Sequence, residues 1–242
     1  MERFPRDPLD SMERPRAGRR HLDRNRESGF LRGARKARGF RMNRIPDEAR
    51  CRALMERYAM LPNIVEHSYR VCQLASFLGR AVNRSGGDLD VGLLVASSLL
   101  HDITKTRSLQ TRENHAETAR DLMRDLGYPE VAEIVGRHIR VEPWELAEPL
   151  SNAQVVNYAD KRVCHTHVVS LAERFRDLAL RYGVTPASRE RLGRLEQGVF
   201  RLEARIFASL RIAPGDLEAF NDLPVHDLQS IPARLNGVLL PA

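Results

Sequence analysis

From residue 45 onward, apolar positions recur at intervals of three and four almost without a break, the period of amphipathic helices. The pattern predicts helices over 64–84, 90–102, 114–126, 129–140, 151–182 and 185–212. Pro46 and Pro62 stand where helices favour a first turn, Ser85-Gly86-Gly87 ends the first long stretch, and Gly183 separates the last two. Residues 90–102 are apolar nearly all round, which predicts a central buried helix. Pro143 and Pro149 mark 141–150 as a loop; Pro214 and Asp216 open a last short helix, and the pattern weakens after Pro224. No segment alternates with a period of two and no repeat is visible. The predicted fold class is all-α, one helical domain over 45–221 with a C-terminal tail over 222–242.

Residues 1–44 behave differently. They mix Arg, Pro, Gly, Ser and acids with few large apolar residues, too little to offset chain entropy, so a disordered arm is expected. Of the 242 residues, these carry 14 basic against 6 acidic side chains, a balance of +8. The rest carries 25 basic and 26 acidic residues and is nearly neutral. The high pI therefore belongs to the arm, and a nucleic-acid-binding fold is excluded as its explanation. The arm has three readings: an electrostatic contact to nucleic acid, a transit-type leader, or an untranslated stretch before a start at Met42. It has no apolar run of the secretory kind, and the longest near-apolar run, 91–100, is far short of the ~20 residues of a membrane span. Three cysteines, Cys51, Cys72 and Cys164, lack CxxC spacing, so no disulfide framework and a cytoplasmic setting are expected.

Polar residues on the apolar stripes carry the chemistry. His67 aligns with Val71, Leu74 and Leu78; His101 follows the all-apolar run; His115 aligns with Ala119, Leu122 and Leu126; His138 with Val131, Ile134 and Val135; Asp160 with Val156 and Val163. A single inward histidine is ordinarily satisfied by a backbone carbonyl. Five helices each aiming a His or Asp inward is a different matter, because unsatisfied buried polar groups are costly and a cation satisfies several at once. Imidazole with carboxylate suits Mn, Fe, Ni or Zn, and a bridging carboxylate suits a metal pair.

The set His67…His101-Asp102…His115…His138…Asp160 resembles the signature of the HD-domain metal-dependent phosphohydrolases. Leu99-Leu100-His101-Asp102-Ile103-Thr104-Lys105 is similar to their LLHDIGK segment, Tyr158-Ala159-Asp160-Lys161 to their closing ADK segment, and Asn114-His115-Ala116 to a second-metal segment. The likeness spans about 60–165. The dipeptide alone carries nothing: His226-Asp227 is a second one, between Pro224 and Pro232 with no apolar helix before it, and is assigned no role. Of three lysines in a chain with 36 arginines, two, Lys105 and Lys161, fall within the matched segments. Thr104 stands where many members have Gly, Ile139 stands where some have a second His, and no GYP motif is present, which disfavours the cyclic-di-GMP branch. No nucleotidyltransferase or synthetase domain is visible, so a stand-alone hydrolase is expected.

The resemblance implies an all-helical fold with a metal site between helices, holding one or two divalent transition metals. His67, His101, Asp102 and Asp160 would hold the first; Asp102 would bridge to a second at His115 and His138. A metal-bound hydroxide would attack phosphorus in a small phosphorylated substrate such as a nucleotide, with Asp102 and Lys105 as the catalytic pair. Lys105, Arg140 and Arg70 are the candidates for substrate phosphate oxygens; for Lys105 an ion pair within the fold is the alternative. Lys161 reads as structural. Trp144 would stack on a base or anchor its loop. His165 and His167 read as continuing the Asp160 helix in a packing or surface role. The competing functions are a non-catalytic nucleotide-binding or regulatory domain, and a hydrolase brought to RNA by the arm. No membrane partner is expected, and the long helices after 165 could support an oligomer.

Overall fold

The computed structural model describes residues 45–140 and 149–239. The expected arm, the Met42 start and Trp144 lie outside these residues.

Among them the fold is all-α, as the periodicity predicts, with each helix started by local chemistry. The helix α1 (Glu48–Arg57) is capped by Asp47, which accepts the Arg50 amide. The long α2 (Pro62–Arg84) begins on its proline. Asp90 caps the apolar α3 (Val91–Leu100) through the Leu93 amide. Then come α4 (Lys105–Thr111), α5 (His115–Asp125) capped by Asn114, α6 (Pro129–Val135) and α7 (Asn152–Arg162) with a Ser151/Gln154 capping box. Two more long helices follow, α8 (Leu171–Tyr182) and α9 (Pro186–Phe207), and a terminal turn α10 (Asn236–Leu239).

The single helix expected over 151–182 is broken. After Arg162 the chain forms a hairpin of β1 (Val163–Cys164) and β2 (His167–Val168), antiparallel with Val163 opposite Val168. His165 turns the corner at φ 56°, a conformation a helix cannot contain. Ser170, whose hydroxyl caps the Glu173 amide while Glu173 reaches back, restarts the chain as α8. His165 and His167 therefore do not continue the Asp160 helix. Likewise α3 stops at Leu100 and α6 at Val135, leaving His101, Asp102 and His138 in the turns just beyond.

Helix α2 is the axle. One side packs Val71, Leu74, Phe77 and Leu78 into a core shared with α7, α8 and α9. The other side contributes Tyr69 and Cys72 to a second core with α1, α3, α5 and α6. Gly79 lets α3 approach closely, since a Cβ there would overlap the Leu94 side chain. The segment after α9 is also docked on α2: Gln73 Nε2 donates to the Pro224 carbonyl at 2.9 Å and to that of Asp227 at 2.8 Å. His226 stands edge-on to Tyr69, and Asp227 caps the next turn through the amides of Gln229 and Ser230, so this second His-Asp pair is structural.

Arg70 corrects an expectation. It faces neither solvent nor a substrate, being 3 % exposed. Its guanidinium donates to the carbonyls of Thr166 (2.9 Å), Leu223 (3.1 Å) and Phe220, and to Gln73 Oε1. It ties α2 to the hairpin and to the C-terminal segment. Arg70→Ala is expected to lower unfolding free energy by about 3 kcal/mol in urea titrations, three buried carbonyls each losing a donor at about 1 kcal/mol. A loss below about 0.5 kcal/mol would contradict this bracing role.

Candidate metal centre

The turns after α3 and α6 deliver the first histidines by one device. The last carbonyls of a helix have no intrahelical donor. Ser98, in the final turn of α3, accepts from His101 Nδ1 at 2.7 Å; Val135, the last residue of α6, accepts from His138 Nδ1 at 2.6 Å. Each histidine thus uses the carbonyl three residues before it. On α2, His67 Nδ1 donates to the His165 carbonyl at 2.8 Å, which the hairpin corner points inward. A carbonyl can only accept, so all three imidazoles carry a proton on Nδ1 and turn Nε2 the other way.

Those Nε2 atoms meet carboxylates and one another. His67 Nε2 lies 3.0 Å from Asp160 Oδ1. His101 Nε2 lies 3.3 Å from Asp102 Oδ2 and 3.7 Å from Asp160 Oδ1. His138 Nε2 is 3.6 Å from Asp102 Oδ1, and His115 Nε2 is 3.4 Å from that same oxygen. His115 and His138 face each other, Nε2 to Nε2, at 3.2 Å. His101 Nε2 and Asp102 Oδ1 are buried with no hydrogen-bond partner. Two ligand groups result, His67–His101–Asp102 and Asp102–His115–His138, with Asp102 common to both and Asp160 beside the first.

Electrostatics keep these donors open. Burial pushes His115 down to about 3, against the pull of Asp102. Burial likewise lowers His67 and His138, although Asp160 and Asp102 oppose it. These three imidazoles are neutral at pH 7, as ligands must be. For His101 burial is outweighed by the Asp102 and Asp160 carboxylates, and its pKa rises. Burial would raise Asp102, but Lys105 and His101 hold it well below the carboxylate range; for Asp160, Lys161 and His67 do the same.

A shell of fixed groups supports the set. Lys105 Nζ is 2.7 Å from Asp102 Oδ2, with its side chain 35 % exposed, so its expected ion pair within the fold exists beside an open face. Lys161 is buried, 2.5 Å from Asp160 Oδ2 and 3.2 Å from the His138 carbonyl, in keeping with a structural role. Asn157 Nδ2 holds the His138 carbonyl at 2.6 Å and that of Arg140 at 2.8 Å. Thr104, the departure from glycine, is a brace: its hydroxyl donates to the His115 carbonyl at 2.8 Å, locking that turn to the start of α5.

Above the cluster lies a cavity of about 260 Å³, floored by Asp102, His115, His138 and Asp160 with Lys105 on its wall. Arg140 is not in that wall. Its exposed guanidinium lies 3.4 Å from Glu117 Oε1, and only its backbone carbonyl serves the site, so the expected phosphate contact is corrected here too. Among the described residues, the arginines that line the cavity are Arg112, Arg174 and Arg181. Sequence reasoning missed Arg174 and Arg181 because α8 read as a packing helix beyond the motifs, and Arg112 because it follows the matched segment without a motif of its own. The Arg174–Arg181 spacing of seven residues on one stripe was the available signal.

Compared with known proteins, residues 64–163 match the family described as the HD domain. A protein of Methanocaldococcus jannaschii, itself uncharacterised, is 32 % identical over 109 residues, 43 % of this chain and 63 % of the relative. A tRNA (cytidine(56)-2'-O)-methyltransferase of Thermoplasma volcanium is 32 % identical over 103 residues, 42 % of this chain and 28 % of the enzyme. The chain thus spans less than two thirds of either relative. No solved structure matches it. Among the described residues no helix is long and apolar enough to cross a membrane.

The geometry generates a binding prediction. Manganese at a hundredfold excess over its Kd is expected to stabilise the protein by about 2.7 kcal/mol, read as a rise in Tm that chelator reverses. Asp102→Asn is expected to fold with an unchanged metal-free Tm, since an amide donates to the open Nε2 atoms, and to lose the manganese-induced rise. A full rise in that variant would remove Asp102 from the ligand set.

Proposed function

We propose, from the match of residues 64–163 to the HD domain, that this protein is a metal-dependent phosphohydrolase acting on a phosphate ester of a nucleotide or related small metabolite. One observation carries the reading: four buried or half-buried imidazole Nε2 atoms and the oxygens of two carboxylates converge within 3.0–3.7 Å, sharing Asp102, an arrangement that suits divalent cations. The residues fit a divalent transition metal. His67, His101, Asp102 and Asp160 would hold one ion, and His115 and His138, sharing Asp102, a second. The chemistry such ions supply is acidification of a bound water and neutralisation of charge on phosphoryl oxygens.

The chain's own groups do the rest. The carbonyls of Ser98, Val135 and His165 fix the imidazoles in the ligating tautomer, so no reorganisation is needed on binding. Asp102 stays ionised at working pH because Lys105 and His101 stabilise its charge. Lys105, tethered at Asp102 yet open to the cavity, is placed to hold a non-bridging phosphate oxygen with its remaining protons. Cavity walls rather than bulk water then surround the reacting ester. Phosphomonoester and phosphodiester substrates both accord with this set.

With manganese, turnover of p-nitrophenyl phosphate or bis-p-nitrophenyl phosphate is expected, and which of the two reacts assigns the ester class. Lys105→Met is expected to bind manganese as the native protein does but to lose about 100-fold in kcat, the worth of one charge-stabilising donor. Metal-loaded protein inert on these esters and on a panel of nucleotides would favour the non-catalytic, ligand-sensing alternative.

A further inference from the structure

The cavity holds a second set of charges that hydrolysis at the His/Asp cluster does not use. Arg174, Leu178 and Arg181 line it from one stripe of α8, four and then three residues apart. Asp177 holds both guanidiniums. Arg174 Nη1 donates to its Oδ2 at 2.9 Å; Arg181 Nε donates to Oδ1 at 2.8 Å and Nη2 to Oδ2 at 2.5 Å. Two cations on one carboxylate leave a positive charge uncompensated, and the fork geometry is already fixed. Arg174 is only 9 % exposed, and its Nε is buried without a partner. Withdrawing a cation from water costs free energy that an anion held on the cavity side of the guanidinium would offset.

This set is distinct from the cluster. The ion partners of Asp102 and Asp160 are histidines, Lys105 and Lys161; that of Arg174 and Arg181 is Asp177. Leu178, with Leu192 and Leu195 of α9, shares the wall with the arginines, so the medium beside the guanidiniums is apolar and their attraction for an anion is poorly screened.

Resting on the phosphohydrolase reading above, we propose that Arg174 and Arg181 form an anion subsite, so that the substrate carries, besides its reacting phosphate, a second anionic group, phosphoryl or carboxylate, on an apolar or aromatic body. The arginines are specificity-determining residues and take no part in bond breaking.

Calorimetric titration of the full-length, metal-free protein tests this without turnover, using two pairs of probes. Adenosine 3',5'-bisphosphate against adenosine 5'-monophosphate reads a second phosphoryl group; 4-carboxyphenyl phosphate against phenyl phosphate reads a carboxylate. In at least one pair the doubly anionic probe is expected to bind about tenfold tighter, the increment of a charge-assisted hydrogen bond. Arg174→Gln and Arg181→Gln should each abolish that preference; the partly exposed Arg181 keeps the test open should the buried Arg174 variant fail to fold. Equal affinities in both pairs, no binding of any probe, or a preference that survives in the folded variants would overturn the subsite. Manganese content, measured in parallel on each protein, reads the His/Asp cluster separately, so its failure is distinguishable from failure of the subsite.

Discussion

The structure turns on a repulsion. Around Asp102, four imidazole nitrogens and the carboxylates of two aspartates come together out of water, and most of these atoms can only accept. Left alone, such a cluster is among the most unfavourable things a protein can bury. Lys105 and Lys161 supply two positive charges from the periphery, and divalent cations at the centre would turn the remaining repulsions into bonds. His67 and His138 stay neutral, and because their Nδ1 protons are committed to the carbonyls of His165 and Val135 they turn Nε2 lone pairs toward the carboxylates.

That commitment explains where helices stop. Were α3 to continue through Asp102, Ser98 would spend its carbonyl on the Asp102 amide, and His101 would lose its anchor. The same holds for α6 and His138. The hairpin between α7 and α8 meets the third need: a left-handed corner at His165 directs a carbonyl at His67, which a continuous helix would have kept along its axis. One turn further along α2, Arg70 and Gln73 secure this by gripping the hairpin and the C-terminal segment. The segment after residue 222, weak in periodicity, is therefore held by side-chain donors from α2 as much as by apolar burial.

The sequence was most legible where chemistry and periodicity coincide. His67, His115, His138 and Asp160 are polar residues on apolar stripes, and His101-Asp102 closes the most apolar run, so their convergence could be foreseen. Arg70 was misread because an arginine one turn after a ligand looks like a phosphate contact; only the fold reveals three carbonyls waiting for it. Arg140 was misread because its side chain leaves the cavity while its carbonyl serves the site. The hairpin was hidden between two stretches of helical pattern, although Ser170-Leu171-Ala172-Glu173 spells a helix start in mid-helix. The seven-residue spacing of Arg174 and Arg181 marks one stripe, but nothing local shows that this stripe of α8 meets the cavity; that depends on tertiary packing.

Metal stoichiometry and position test the account most directly. Anomalous scattering from crystals grown with manganese should show two ions per chain, one at His67, His101, Asp102 and Asp160 and one at Asp102, His115 and His138. A folded protein with no ion there, or with its ions bound away from Asp102, would contradict the claim that this cluster of opposed acceptors is built around metal.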